Sequence, residues 1–436
     1  MKYEELSGKP DLAFIQQEIL AFWKEEHIFE RSVEERTGEE VVFYDGPPFP
    51  TGKPHHGTVL VSFIKDLIAR YQTMRGYRVP RTWGWDCHGL PIENQAESAL
   101  GIQDKTQIEK KIGIAAFNEK CREIVSGNND SWRDYVEQMA RFVDYDGAYK
   151  TMHADFMESV MWAFKQLYDK GYIYRDYRVT PYCMHCETSL SISDTRESDS
   201  TRLRQDRWIL VRFQAEETLA GKQVYFLAWT TTPWTLPSNM CLAVGEKLDY
   251  AYVEVKNDIY VACTGTLANY GKVFGEEPVI RKVCKGADLV GKTYEPLFPY
   301  FADRKEEGAF RVVSAGYVGA EEGVGIVHTA PAFGEDDYWT CRDNGIPLVN
   351  PVDEKGHFTQ EITDFYDPGQ EKTVIEWNPA VIRFLYDQGK AVADGTIEHN
   401  YPHCWRCKRP LIYKAMDAWY FDIGKIKERL LEENEK

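Results

Sequence analysis

The sequence predicts an α/β chain carrying a β-rich insertion, and three observations predict it. Residues 41–77 run from a short β-branched and aromatic stretch through a Pro/Gly loop into a long apolar-periodic helix. Residues 187–395 change texture: short alternating runs such as YAYVEVKNDIYVAC and RVVSAGYVG are broken by Gly, Pro and Asn about every 8–12 residues. One Cys-x-x-Cys pair stands just before that stretch and another just after it. The simplest arrangement is a β-rich domain inserted into another, with the two cysteine pairs meeting at its base.

The chain has 436 residues, 43% of them hydrophobic and 28% charged, an ordinary globular balance with material for two to four domains. The net charge of −17 gives no basic footprint for nonspecific DNA binding, although a local positive groove stays compatible with it. No apolar run reaches the ~20 residues of a membrane span. The opening MKYEELSGKP has charges of both signs and no apolar core, so it does not read as a signal peptide, and a cytoplasmic location is expected. Ten cysteines are too sparse for a disulfide scaffold at this length.

In chain order, residues 11–30 place Ile15, Ile19, Phe22 and Trp23 at helical spacing, which predicts an amphipathic helix packed on the body. VVFYDGPPFPTG (41–52) reads as a strand entering a Pro/Gly loop, and 58–77 as a helix closing at Gly76. A strand, a glycine-containing turn and a helix aim backbone N–H groups at an anion such as phosphate. Residues 132–178 read as largely helical, above all the stretch closing at Gly171. The final IGKIKERLLEENEK is a charged helix with no evident partner.

Cys183-Met-His-Cys186 and Cys404-Trp-Arg-Cys407 each have the two-residue gap that lets two thiolates grip one tetrahedral ion. Together they predict a structural Zn2+ site with four thiolate ligands, His185 and His403 being alternative donors. Two unrelated thiol pairs, or a redox Cys-x-x-Cys, are the competing readings; redox motifs normally come singly, after a strand and before a helix.

PFPTGKPHHGT (48–58) offers glycines at 52 and 57 for close backbone approach to an anion, with His55 as a donor. Taken bare, such a loop is more often a simple connection. Twenty-five residues later comes WGWDCHGLPIE (83–93), dense in rare residues. Here the chain resembles the class I aminoacyl-tRNA synthetases, in their isoleucine-specific form. DGPPFPTGKPHHGT is similar to the family's ATP signature, and GWDCHGLPIE to the motif that follows it. WTTTPWTLPSN (229–239) and GVGIVHTAPAFGEDDY (323–338) resemble the two signature stretches of the inserted editing domain, and YPHCWRCKRPLIYKA (401–415) the return into the catalytic fold.

The resemblance implies an α/β fold: the N-terminal half of a Rossmann-type catalytic domain, a β-rich editing domain inserted into it, and a four-cysteine zinc ribbon at the base. Residues 1–186 would form the N-terminal helix and first catalytic half, 187–395 the editing domain, and 396–436 the return segment with the second knuckle and a C-terminal helix. The implied activity is ATP- and Mg2+-dependent activation of isoleucine for charging tRNA(Ile), with hydrolytic editing of Val-tRNA(Ile). Gly46 and Pro47 would line the isoleucine pocket and Asp86 would hold its α-ammonium. His55, Gly57 and Thr58 would sit on the ATP phosphates. Thr230, Thr231, Thr232, Trp234, Thr235 and Asn239 would line the editing pocket, His328 would shape it, and Asp337 would bind the α-ammonium of the mischarged residue. By composition alone the Thr run reads as a β-branched edge strand broken by Pro233 and Pro237.

Three departures from the family pattern stand out. Thr58 replaces the final His of the ATP signature and cannot carry an imidazolium charge. Lys53 stands where the family usually has an apolar residue. The sequence stops at Lys436, before the family's second half-fold, its Lys-Met-Ser-Lys-Ser loop and the anticodon-binding helices. Two readings follow: a fragment of a full synthetase, with a separate chain as a candidate source of the second catalytic half, or a free-standing remnant that hydrolyses Val-tRNA(Ile). A non-enzymatic tRNA- or partner-binding protein is a third.

Overall fold

The computed structural model describes residues 8, 10–102, 105–127, 129–196, 200–274, 279–320, 323–366, 368–369 and 372–436. Most of the opening decapeptide, read above as lacking a signal sequence, therefore lies outside the described residues. The chain divides into two compact units, Met1–Ile173 and Tyr174–Lys436.

The first unit begins with helix α1 (Leu12–Glu25), capped by the Asp11 carboxylate on the N–H groups of Ala13 and Phe14. His27, in the left-handed region, breaks it from α2 (Ile28–Glu34). The expected inward apolar face of α1 is only partly realised. Trp23 meets the Phe142 ring edge-on at 4.9 Å, but Ile15, Ile19 and Phe22 are exposed among the described residues.

The strand expected at 41–52 does not form. Pairing stops after a single parallel bridge, Glu40 to Arg78, because Pro47, Pro48 and Pro50 offer no N–H and the Asp45 side chain is drawn into ion pairs with Lys65 and Arg141. The segment is extended loop. Helix α3 (His56–Met74) follows and ends at Gly76, whose φ of +103° the closing turn requires. Strand β1 (Thr82–Trp85) leads to α4 (Leu90–Leu100), α5 (Ile114–Gly127) and α6 (Asn129–Gln138). Strand β2 (Asp144–Lys150) then pairs parallel with β1, and α7 (Ala154–Asp169) closes the unit. The helical reading of 132–178 is thus corrected: Tyr145, Gly147 and Tyr149 alternate along β2, and the intervening Asp146 and the charged residues at either end obscure that alternation. The core gathers Trp83, Trp85, Ile92, Val125, Trp132, Val136 and Val143.

The second unit starts on β3 (Ile173–Cys183), a strand again where helix was expected, joined to β4 (Thr188–Ser189) and β14 (Ile412–Phe421) in one sheet. Within the 187–395 stretch stand β5 (Thr201–Leu219), β6 (Lys222–Thr230), β7 (Cys241–Val244), β8 (Asp249–Val255), β9 (Asp258–Cys263), α8 (Leu267–Phe274), β10 (Val279–Lys285), β11 (Arg311–Ser314), β12 (Ile326–Thr329), α9 (Glu335–Asp343), α10 (Asn378–Asp387) and the start of β13 (Ala391–Pro402). A six-stranded sheet runs β10-β8-β9-β6-β5-β13, and a three-stranded one β11-β7-β12. The residues of β7 are wholly buried, so this strand reads as the continuous apolar run of a core strand. The charged α11 (Lys427–Glu435) ends the chain with no buried residue.

Candidate functional site

The expected residues gather in one cluster in the first unit and in two in the second. In the first, the loop before α3 is tied to the end of β1, where the Asp86 N–H donates to Pro48 O at 3.0 Å. Gln95 Nε2 donates to Thr51 O at 2.6 Å and Trp132 Nε1 to Gly52 O at 2.8 Å. Gly46, Pro47 and Asp86 are therefore held on one loop-and-strand junction. Gly84 is needed there, because a Cβ would lie 2.2 Å from the Tyr149 ring. The Tyr149 hydroxyl donates to Asp45 O at 3.0 Å, and burial together with the charges of Asp45 and Asp86 pushes its pKa up.

His55 and Thr58 serve the start of α3. The His55 ring accepts from the Gly57 N–H at 3.2 Å, and Thr58 Oγ1 accepts from the His55 N–H at 3.3 Å, a reciprocal cap. His55 and Gly57 are exposed. The Thr58 hydroxyl that replaces an imidazole thus has a structural use. Asp45, Lys65, Arg141 and Tyr149 escaped the sequence reading; only the charge closing VVFYD hinted at the first.

In the second unit β6 delivers Thr230, and a short 3₁₀ turn, Pro233–Ser238, carries Trp234 and Thr235. Thr230 Oγ1 lies 3.1 Å from Thr232 Oγ1, and Thr232 Oγ1 3.4 Å from Thr235 Oγ1. Thr235 Oγ1 is 3.0 Å from His328 Nε2, and the other ring nitrogen of His328 is 2.8 Å from Asn239 Nδ2. Trp234 is buried edge-on to Phe333 at 4.8 Å. Thr230, Thr232, Thr235, Asn239 and His328 are one hydrogen-bonded cluster, while Thr231 has no side-chain bond to it. Burial pushes the His328 pKa down to about 3, so the ring is neutral. Tyr294, whose hydroxyl donates to Asn239 Oδ1 at 2.7 Å, belongs to the cluster although no motif announces it.

Asp337 lies in the first turn of α9 and reaches back to accept from the Ala330 N–H at 2.8 Å. Gly334 makes room for that turn, since a Cβ there would be 2.8 Å from the carboxyl carbon. Burial and the neighbouring Asp336 charge raise the Asp337 pKa to about 7, against the Ala330 hydrogen bond that lowers it. A half-buried carboxyl of this kind gains by meeting a cation.

The four cysteines come together: the Sγ atoms of Cys183, Cys186, Cys404 and Cys407 all lie within 4.8 Å of one another. Glu187 and Lys408, each just after the second cysteine of its pair, take left-handed φ values of +51° and +63° that turn the chain back around the sulfurs. Hydrogen bonds from Cys183 and Cys186 hold the Cys407 thiol well below its usual range, while contact with Cys407 and burial push the Cys183 and Cys186 thiols up. A Zn–S bond of ~2.3 Å puts tetrahedral sulfurs roughly 3.8 Å apart, which this cluster is compatible with. His403 instead turns Nδ1 to Tyr401 O at 2.8 Å. Among the described residues no helix is long and apolar enough to cross a membrane.

Comparison with known proteins gives the frame. The model of the family described as "tRNA synthetases class I (I, L, M and V)" matches residues 18–436. The chain is 45% identical to the isoleucine–tRNA ligase of Corynebacterium diphtheriae over 98% of its own length and 41% of that protein's. It is 44% identical to those of Rickettsia felis and Mycobacterium tuberculosis over 100% of its length, covering 41% and 42% of theirs. It thus spans about two fifths of the length of the curated relatives it matches. A solved structure titled "The crystal structure of GlLeuRS-CP1" overlaps 43% of this chain and 96% of its own at 15% identity, with a TM-score of 0.35. On the match across residues 18–436, the chain belongs to the class I tRNA synthetases of the I, L, M and V group.

Proposed function

We propose that this chain is a portion of an isoleucine–tRNA ligase, holding the isoleucine pocket, half of the ATP site and a hydrolytic editing site for Val-tRNA(Ile). The observation that carries the reading is alignment of 98–100% of the chain with curated isoleucine–tRNA ligases at 44–45% identity. In this reading 1–186 is the first catalytic half, 187–395 the editing domain and 396–436 the return segment. Gly46, Pro47 and Asp86 bind isoleucine, and His55, Gly57 and Thr58 meet the phosphates of ATP with Mg2+. The chemistry there is positioning and charge stabilisation as the carboxylate attacks the α-phosphorus. Cys183, Cys186, Cys404 and Cys407 hold one structural Zn2+. The tRNA(Ile) acceptor end is the macromolecular partner, in the cytoplasm.

Editing answers a physical limit. One methylene separates isoleucine from valine, worth ~1–3 kcal/mol in a hydrophobic pocket, so a second site must remove the smaller residue. Thr230, Thr231, Thr232, Trp234, Thr235 and Asn239 line that site, His328 shapes it, and Asp337 binds the α-ammonium, whose charge offsets the burial of the carboxylate. Purified chain is expected to hydrolyse Val-tRNA(Ile), with the activity lost in Asp337→Ala. Equal rates in both proteins overturn the editing role.

One observation favours a second reading, an editing-only protein. The Thr58 hydroxyl is engaged by the His55 N–H, where the family signature has an imidazole. Isoleucine-dependent pyrophosphate exchange is expected to be absent from this chain alone. Measurable exchange removes the editing-only reading.

A further inference from the structure

The hydrogen bonds around His328 have a forced direction. Tyr294 Oη donates to Asn239 Oδ1 at 2.7 Å, and Asn239 Nδ2 donates to Cys241 O at 2.9 Å. The carbonyl only accepts, so the Asn239 amide has one orientation. Its Nδ2 must then also be the donor in the 2.8 Å contact to His328 Nδ1. That leaves Nδ1 bare and puts the ring proton on Nε2, which donates to Thr235 Oγ1 at 3.0 Å. Thr235 passes its own proton to Thr232 O at 2.9 Å. Tyr294, Asn239 and His328 are all buried, so water does not interrupt the sequence.

We infer that Asn239, backed by Tyr294 and the Cys241 carbonyl, is a positioning residue that holds His328 as the neutral Nε2–H tautomer. His328 is therefore a hydrogen-bond donor that orients the Thr235–Thr232 wall, and its one lone pair, on Nδ1, is occupied by the Asn239 N–H and is not free to take a proton from water. The hydrolytic consequence rests on the editing reading above; the direction of the hydrogen bonds does not. Any base for hydrolysis must come from elsewhere, the bound aminoacyl-RNA included. Tyr294, outside every motif in the sequence, becomes the far anchor of the pocket.

The test uses the full chain labelled with 15N-histidine. The His328 signals are assigned by their loss in His328→Gln, and the tautomer is read from the two ring-nitrogen shifts. Wild type is expected to show protonated Nε2 and bare Nδ1, unchanged from pH 5 to pH 8. In Asn239→Asp an acceptor replaces the donor, and the proton is expected to move to Nδ1. A wild-type ring protonated on Nδ1, or averaging between tautomers, overturns the inference; so does a folded Asn239→Asp protein with unchanged shifts. If Asn239→Asp fails to fold, the wild-type spectrum decides by itself. The expected tautomer together with absent Val-tRNA(Ile) hydrolysis counts against the editing reading and leaves the positioning role standing.

Discussion

Cys183 Sγ and Cys407 Sγ lie 3.4 Å apart although 224 residues separate them in the chain. Four sulfurs this close, with one thiol biased towards its anion, repel one another unless a cation or protons intervene. Elemental analysis is expected to find one Zn2+ per chain. Cys404→Ser is expected to lose it and to lower the melting temperature by roughly 4–8 °C, the equivalent of about 2 kcal/mol in a unit of this size. Well under one zinc per wild-type chain, or an unchanged melting point in the variant, counts against the site.

Gly84→Ala tests the first unit. The added methyl meets the Tyr149 ring, whose hydroxyl is fixed on Asp45 O, and β1 and β2 are paired at this position, Gly84 opposite Tyr149. Overpacking of this kind costs typically ~1–3 kcal/mol. Urea unfolding of the full chain should show that loss. Gly46→Ala, with open space where its Cβ would be, should leave stability nearly unchanged. Equal stability of both variants with wild type rejects the steric account of Gly84.

Legibility of this chain followed sequence distance. The cysteine knuckles and the ends of α3 and α7 could be read because spacing and terminal glycines encode local geometry. Strand β2 was hidden because Asp146 interrupts the alternating Tyr145, Gly147 and Tyr149 and charged Asp144 and Lys150 flank them. The loop at 41–52 looked like a strand because its residues are β-formers, and only the missing partner strand shows that nothing pairs with it. Thr230, Thr235, Asn239, His328 and Asp337 were legible through family motifs, not through pattern. The links that orient them were not, since Tyr294 to Asn239 spans 55 residues and Arg141 to Asp45 spans 96. Such pairings depend on tertiary placement, which no local window contains.

The Asp337 carboxyl gives a pH prediction with a definite sign. Its pKa in the folded chain is about 7, raised from an ordinary value of 3.8. Between about pH 4 and pH 7 the folded state therefore holds a proton that the unfolded state has released, and stability falls as pH rises through that window. The loss is up to about 1.4 kcal/mol per pH unit, as an upper bound. Asp337→Asn never ionises, and its amide oxygen still accepts from the Ala330 N–H. Unfolding titrations should show the two proteins similar near pH 4 and the Asn variant more stable by a few kcal/mol at pH 8. Ligand binding should run the opposite way. An ammonium ligand needs the carboxylate, so a small aminoacyl ester should bind wild type more tightly as pH rises towards 7 and should bind Asp337→Asn weakly at every pH. A stability gap that stays flat from pH 4 to pH 8 means that Asp337 is ionised throughout, and the argument from its burial fails.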